Sequence, residues 1–325
     1  MHGTRRHLVK SAALLAAGLG SARAQPRPVG TLVVPFAPGG AADLVARLLA
    51  PALTARLGHP YEVVNMPGRV GQLAVEYVAT AAPTGDTLLL ATNSIFVTAA
   101  ELCAALGNWD EVLRPVGLLA SNGLVLCVSA YAPLPDLAAL LAQLRQAAAP
   151  PSFGSAGYGT TGHLAMEALM QRAGLHLDHL ASTGDALAMR TLLTEQVACC
   201  FCNAATARPF VQAGTARALA VTSALRLPAF PTVPTLDEAG FPGFQCTTDF
   251  ALFAPTATPA PVMRELVAAA MEAMAAPLMR RRLAIAALQP VGTGPQEFAG
   301  YLERERAEWR ALLSLRQLTA DPLDC

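Results

Sequence analysis

Short apolar or β-branched runs alternate with longer stretches of helical periodicity along most of this 325-residue chain. That alternation restricts the fold more than any other feature, because strands separated by helices assemble into parallel α/β sheets with helices on both faces. The clearest runs are Thr31–Ala37 (TLVVPFA), Glu62–Asn65, Thr87–Thr92, Leu124–Ala130 (LVLCVSA), Val197–Ala204 (VACCFCNA) and Ala216–Ser223. They are continuously apolar, as expected of strands covered on both sides. Between them lie stripes at helical spacing, such as Leu44, Leu48, Leu49, Leu53 and Leu57. Near the C-terminus, Thr293-Gly294-Pro295-Gln296 reads as a helix start with a Thr cap and a glutamine three residues on. The helix it opens places Phe298, Leu302, Trp309 and Leu313 on one side, the pattern of a surface helix packed on a lobe.

The N-terminus has the three parts of a secretory signal: Arg5, Arg6 and Lys10, then a charge-free run from Ser11 to Gly20, then Ala22-Arg23-Ala24 as a cleavage site. Residues 1–24 are therefore expected to be removed, leaving a soluble periplasmic protein. The run is too short to span a bilayer, which needs about 20 apolar residues. Thr4 to Lys10 also has the form of a twin-arginine signal, so both export routes stay open. Removing four basic residues turns 23 basic against 23 acidic into 19 against 23, a net charge of −4. Nucleic acid is not expected as a partner, because phosphate binding needs a positive surface. Lys10 is the only lysine, which excludes P-loop hydrolases and pyridoxal enzymes.

Seven cysteines leave at least one unpaired. Cys199, Cys200 and Cys202 lie in an apolar strand and read as buried, reduced packing residues rather than redox or metal groups. A zinc set with His176 and His179 lacks ligand-pair spacing, so no metal and no cofactor are expected.

Two glycine-rich loops stand out, one in each half of the chain. Pro38-Gly39-Gly40-Ala41-Ala42-Asp43 follows a strand and opens a helix, where unpaired N–H groups and the helix dipole can receive an anion and glycines allow it to approach. The plainer alternative is a tight turn in which Asp43 favours the first helical turn. Ser155-Ala156-Gly157-Tyr158-Gly159-Thr160-Thr161-Gly162 repeats the device, adding the hydroxyls of Ser155, Thr160 and Thr161. This second loop is also a formal G-x-G-x-x-G, with Asp178 downstream. In a dinucleotide fold the acidic residue closes the second strand, whereas Asp178 begins LDHLAS, and that placement argues against a nucleotide. His163 reads as a helix residue satisfying backbone groups, and Phe153 stands where a nucleophile elbow at Ser155 requires glycine.

LVVPFAPGGAADLVARLLAPAL resembles the opening of the Bug-type proteins, the extracytoplasmic receptors of tripartite tricarboxylate transporters. Four further landmarks keep the family's order: NMPGRVGQLA at Asn65–Ala74, SAGYGTTGHLA at Ser155–Ala165, ARALAVTS with VPTLDEAG, and ALFAPTATP at Ala251–Pro259. The resemblance implies an α/β, two-lobed periplasmic-binding-protein (Venus-flytrap) clamp, each lobe a mostly parallel sheet covered by helices. Residues 25–120 with 246–325 would form one lobe and 121–245 the other. It implies a monomeric, non-enzymatic receptor that captures a small carboxylate, whether a di- or tricarboxylate, an amino acid or an aromatic acid, for the membrane subunits of a tripartite transporter. A ligand-sensing partner of a membrane sensor and a nucleotide-binding α/β enzyme are the alternatives.

The expected ligand-binding set is spread over the landmarks. It comprises Pro38, Gly39, Gly40, Ala41 and Asp43 in the first loop; Gly68, Arg69, Gly71 and Gln72 in the second landmark; and Thr92 and Asn93 beyond the third run. From the middle of the chain come Ser155, Gly157, Gly159, Thr160 and Thr161, then Thr183, Gly184, Asp185 and Asn203, and Asp249 lies beyond them. Three departures from the family pattern alter this lining. Arg69-Val70 replaces a small residue and a glycine, Ser182-Thr183-Gly184 followed by Asp185 stands for Y-K-G, and Asp249 replaces an aromatic. Arg69 is either a solvent-facing loop charge or a bidentate carboxylate contact. Asp185 and Asp249 are either solvated rim charges or selectors for a ligand that also carries an amine.

Overall fold

The computed structural model of the chain describes residues 29–99 and 109–316. The expected signal segment, its cleavage site, Cys103 and Cys325 lie outside the described residues, as do the side chains of Val70 and Leu313. Strand β1 (Gly30–Val34) runs parallel to β2 (Tyr61–Asn65) on one side and β3 (Thr87–Thr92) on the other. Beyond β3 come two long strands, β4 (Leu113–Ser129) and β9 (Thr247–Pro255), with β9 lying antiparallel between β3 and β4. At the far end β5 (Ser152–Ser155) is parallel to both β6 (Asp178–Ala181) and β7 (Cys199–Asn203). The path is β2-β1-β3-β9-β4-β7-β5-β6, with β8 (Ala216–Val221) and β10 (Gln289–Thr293) also pairing with β4.

β4 joins the two ends. Its residues up to Gly123 pair with β9 and β10, whereas Leu124 to Ser129 pair with β7 and β8. The expected α/β architecture is present, but the sheet is mixed rather than mostly parallel. Parallel trios sit at the two ends, and the middle is antiparallel because a strand that crosses from one half to the other is accompanied by a strand returning beside it. Only the second half of β4 was expected as a strand. Pro115, Gly117 and the Ser121-Asn122-Gly123 stretch resemble turn formers, and two irregularities of register, between Pro115 and Gly117 and between Leu118 and Ala120, accommodate the first two.

Leu, Val and Phe side chains fill both faces of the sheet, including the buried rings of Phe96, Trp109, Phe253 and Phe298. The C-terminal helix, Pro295–Arg316, buries Phe298, Leu302 and Trp309 as expected. Its cap differs from the expectation: Phe298 N–H donates to Gly294 O, and Thr293 belongs to β10. Cys127, Cys199, Cys200, Cys202 and Cys246 are unpaired and buried. Burial pushes the thiols of Cys127 and Cys199 up to about 12, which leaves them protonated and unreactive.

The parallel strands end on one side of the sheet, and helices Ala41–Leu57, Thr161–Ala173, Asp185–Leu193 and Ala204–Gln212 begin there. The second of these lies so close to β7 that a Cβ built on Gly162 would stand 2.7 Å from the carbonyl oxygen of Phe201. Gly162→Ala is therefore expected to lower stability by about 1–3 kcal/mol, the usual cost of overpacking against an unyielding backbone. Chemical denaturation of the variant beside the parent measures it, and equal midpoints would show that the helix shifts without penalty.

Candidate functional site

The loop after β1 is shaped by Asp43. Its Oδ2 accepts from the Gly39 N–H at 3.0 Å and from Arg47 Nε at 2.9 Å. Arg47 also reaches Asn65 Oδ1, and Asn65 Nδ2 donates to Phe36 O. Burial opposes ionisation of Asp43, yet the bonds from Arg47 and Gly39 hold its carboxyl below the usual carboxylate range. Asp43 is thus a buried brace of the loop. Gly39 has φ +90°, which favours glycine, whereas Gly40 has φ −85° and ψ 175°, extended backbone that any residue adopts.

Gly40, Thr160, Gly184 and Asn203 are the capping residues of the four helices that begin at this edge, and none of them caps its helix with a side chain. Their first-turn N–H groups lack helical partners and carry the positive ends of the helix dipoles. Between them lies a small cavity of about 30 Å³. The first half of the chain lines it with Phe36, Gly40, Ala41, Ala42, Thr92 and Ser94, and β9 adds Thr248 and Phe250. The opposite wall is Ala156, Thr160, Thr161, Gly162, Asp185 and Asn203. A wider vestibule of about 280 Å³ adjoins it, lined among others by Gly68, Arg69, Gly71, Gly157, Tyr158 and Thr183.

The cavity and vestibule together bring to one cleft Gly40, Ala41, Gly68, Arg69, Gly71, Thr92, Gly157, Thr160, Thr161, Thr183, Asp185 and Asn203 of the expected set. The remaining members do not line it. Pro38 and Gly39 shape the first loop, Gly184 caps a helix, and Gln72 donates to Glu76 at 2.6 Å. Asn93 links the halves instead: its Oδ1 accepts from Thr161 Oγ1, and its Nδ2 donates to Thr247 O. The two halves also meet through Ala37 N–H to Thr183 O at 2.9 Å and Thr98 Oγ1 to Gly159 O at 2.8 Å.

The second glycine loop differs most from expectation. Ser155 Oγ accepts from Gly157 N–H, Thr160 Oγ1 donates to Gly157 O at 2.7 Å, and Gly159 N–H donates to His163 Nδ1. The donors expected to grip a ligand at Ser155, Gly157 and Gly159 are engaged inside the loop, because nearby hydroxyl, carbonyl and imidazole acceptors compete for them. The helix start at Thr161 and Gly162 is what faces the cavity. His163 satisfies a backbone N–H, and Asp178 lies at the opposite end of its strand from the loop.

Neither acidic departure is a solvated rim charge, since Asp185 and Asp249 are both buried. Asp249 lies off the cavity, accepting from Tyr301 Oη and Thr247 Oγ1. Burial raises its carboxyl above the ordinary range against those bonds. Arg69 stands at the vestibule with its side chain 50% exposed and Nη1 3.9 Å from Glu76 Oε1. Phe36, Ser94, Ala156, Thr248 and Phe250 were not anticipated as lining. Ser94 adjoins Thr92-Asn93, but Thr248 and Phe250 belong to a strand not recognised in the sequence.

The chain matches the family model "Tripartite tricarboxylate transporter family receptor" over residues 45–318. It is 34% identical, over 98% of its own length and 96% of the relative's, to the UPF0065 protein of the tcbD-tcbE intergenic region of Pseudomonas sp. strain P51. Its fold is similar to that of the periplasmic binding protein BugD, with a TM-score of 0.86 and 28% identity over 91% of this chain and 100% of that one. Rpa4515 of R. palustris with adipate gives 0.87 and 29%, covering 90% and 99%. MatC of Rhodopseudomonas palustris with bound malate gives 0.83 and 30%, covering 89% and 100%.

Proposed function

This chain belongs to the family of tripartite tricarboxylate transporter receptors, and on that premise we propose that it is a periplasmic receptor holding a small carboxylate in the cleft between its halves for delivery to membrane subunits. The observation that carries the reading is the convergence of four helix starts without side-chain caps on one cavity lined from both halves. The neighbours with adipate and malate support the ligand class. No described helix is long and apolar enough to cross a membrane, in keeping with a receptor that meets its transporter from outside the bilayer.

The receptor performs no chemistry on its ligand. Support for that reading comes from the receptor family and from neighbours that are periplasmic binding proteins. The lobes are residues 25–120 with 246–325 and residues 121–245, acting as a monomeric clamp. Support comes from β4, which changes partners between Gly123 and Leu124, and from β9, which begins at Thr247. Arg69 in the vestibule and the N–H groups at Ala41, Ala42, Thr161 and Gly162 are the ligand contacts.

A thermal-shift series of dicarboxylates, tricarboxylates, amino acids and aromatic acids against the mature protein tests this. A ligand at one hundred times its Kd is expected to stabilise the folded state by about 2.7 kcal/mol. No shift with any carboxylate would sink the reading.

A further inference from the structure

The cavity also carries acceptors that an anion does not need. Asp185 is 7% exposed, and its Oδ2 accepts from Asn203 Nδ2. None of the ion pairs among the described residues includes it. A carboxylate only accepts, so it draws the amide nitrogen of Asn203 towards itself and turns the amide oxygen away. Asn203 Oδ1 is consequently buried with no hydrogen-bond partner, in a residue 8% exposed. Thr248, 3% exposed on β9, lines the same cavity, and its Oγ1 is also unpartnered.

A purely anionic ligand would bring like charge against Asp185 and leave Asn203 Oδ1 without a donor. An ammonium group has the opposite chemistry: one positive charge and three N–H donors. Burial without a cation beside it pushes the Asp185 carboxyl above the ordinary carboxylate range, against the bonds from Asn203, and a cation beside it would favour the ionised form.

Building on the carboxylate-receptor reading, we propose that the ligand is an amino-carboxylate: its ammonium is held by Asp185 and Asn203 Oδ1, with Thr248 Oγ1 as a third acceptor, while its carboxylate meets the helix starts at Ala41 and Thr161. Asp185 is the specificity-determining residue.

Titration calorimetry on the mature protein at pH 7 with matched pairs tests this, using succinate and aspartate, glutarate and glutamate, adipate and 2-aminoadipate, and butyrate and 4-aminobutyrate. In any pair that binds, the amino member is expected to bind at least about tenfold tighter, and Asp185→Asn should weaken it about 10- to 100-fold, the range of hydrogen bonds to charged groups. The same variant should strengthen binding of the unaminated member by removing like charge. The paired comparison on the parent stands even if the variant folds poorly. Equal or tighter binding of the unaminated acids by the parent would overturn this proposal and leave the carboxylate reading intact. Failure of every member to bind would overturn this proposal, and the thermal-shift series with tricarboxylates and aromatic acids would then decide the carboxylate reading.

Discussion

A Gly40→Val variant is expected to fold normally and to lose about two orders of magnitude in carboxylate affinity. The backbone at Gly40, φ −85° and ψ 175°, is the extended conformation that β-branched residues favour. A Cβ built there meets no heavy atom within 4 Å, and Gly40 lines the cavity. The valine methyls therefore enter open space beside the start of helix Ala41–Leu57, where they separate an anion from its N–H groups. Losing one or two hydrogen bonds to a charged group, each worth about 1.5–3 kcal/mol, accounts for the hundredfold loss. The glycine that the backbone requires is Gly39, at φ +90°, so a stability loss at Gly40 is not expected. Thr160→Ala is the contrast: its hydroxyl serves Gly157 O, so the change should cost about 0.5–1.5 kcal/mol through the loop. Calorimetry with a carboxylate that stabilises the parent, beside a melting curve, checks the pair. A folded Gly40→Val protein with unchanged affinity would mean that the first loop is only a turn.

The parts of this fold that were legible in the sequence are those in which one local pattern has one structural outcome. An apolar run followed by Pro38-Gly39-Gly40 does end a strand and begin a helix, and the same holds at Ser155–Thr161. The crossing strands were harder, because β4 carries proline and glycine at places that pairing with β9 and β10 accommodates through irregular register. β9 begins with the polar Thr247-Thr248-Asp249, and its apolar end stood out as a family landmark rather than as a strand. Within the site, residue type alone could not say which acceptor a hydroxyl would choose. Ser155, Thr160 and Thr161 each found a protein partner, and the last of these, Asn93, lies in the other half of the chain. Asp249 shows the same limit. An acid in place of an aromatic looks like a ligand contact until Tyr301, fifty-two positions away, proves to be its donor.

Acidification from pH 6.5 to 4 is expected to draw on the order of 3 kcal/mol of stability out of His179 alone. Its ring stacks 4.2 Å from that of His163 and 4.8 Å from Phe153, with Tyr158 against the same group, and its Nε2 lies 2.7 Å from Ser155 Oγ. Burial holds its pKa at about 4, down from 6.5. Between those two values the unfolded chain takes up a proton that the folded chain refuses, so the stabilisation is complete above pH 6.5 and falls as pH drops to 4. Glu167 Oε1 lies 3.8 Å from the far nitrogen of the neighbouring His163. Asp185 and Asp249, whose carboxyls are raised by burial, change stability in the opposite direction as pH falls, while Asp43, held below the usual carboxylate range, adds to the loss. The clean measurement is a difference: denaturation of the parent and of His179→Gln at pH 7 and pH 4, where the parent should lose more stability than the variant by that amount. Ser155 ties His179 to Gly157, so the same acidification should loosen the loop that positions Thr161 and Gly162 at the cleft. Hydrogen exchange at Gly157 and Gly159 should then rise in the parent and stay level in the variant. Equal pH slopes for the two proteins would show that His179 does not titrate on folding, and the link from this stack to the ligand loop would fail with it.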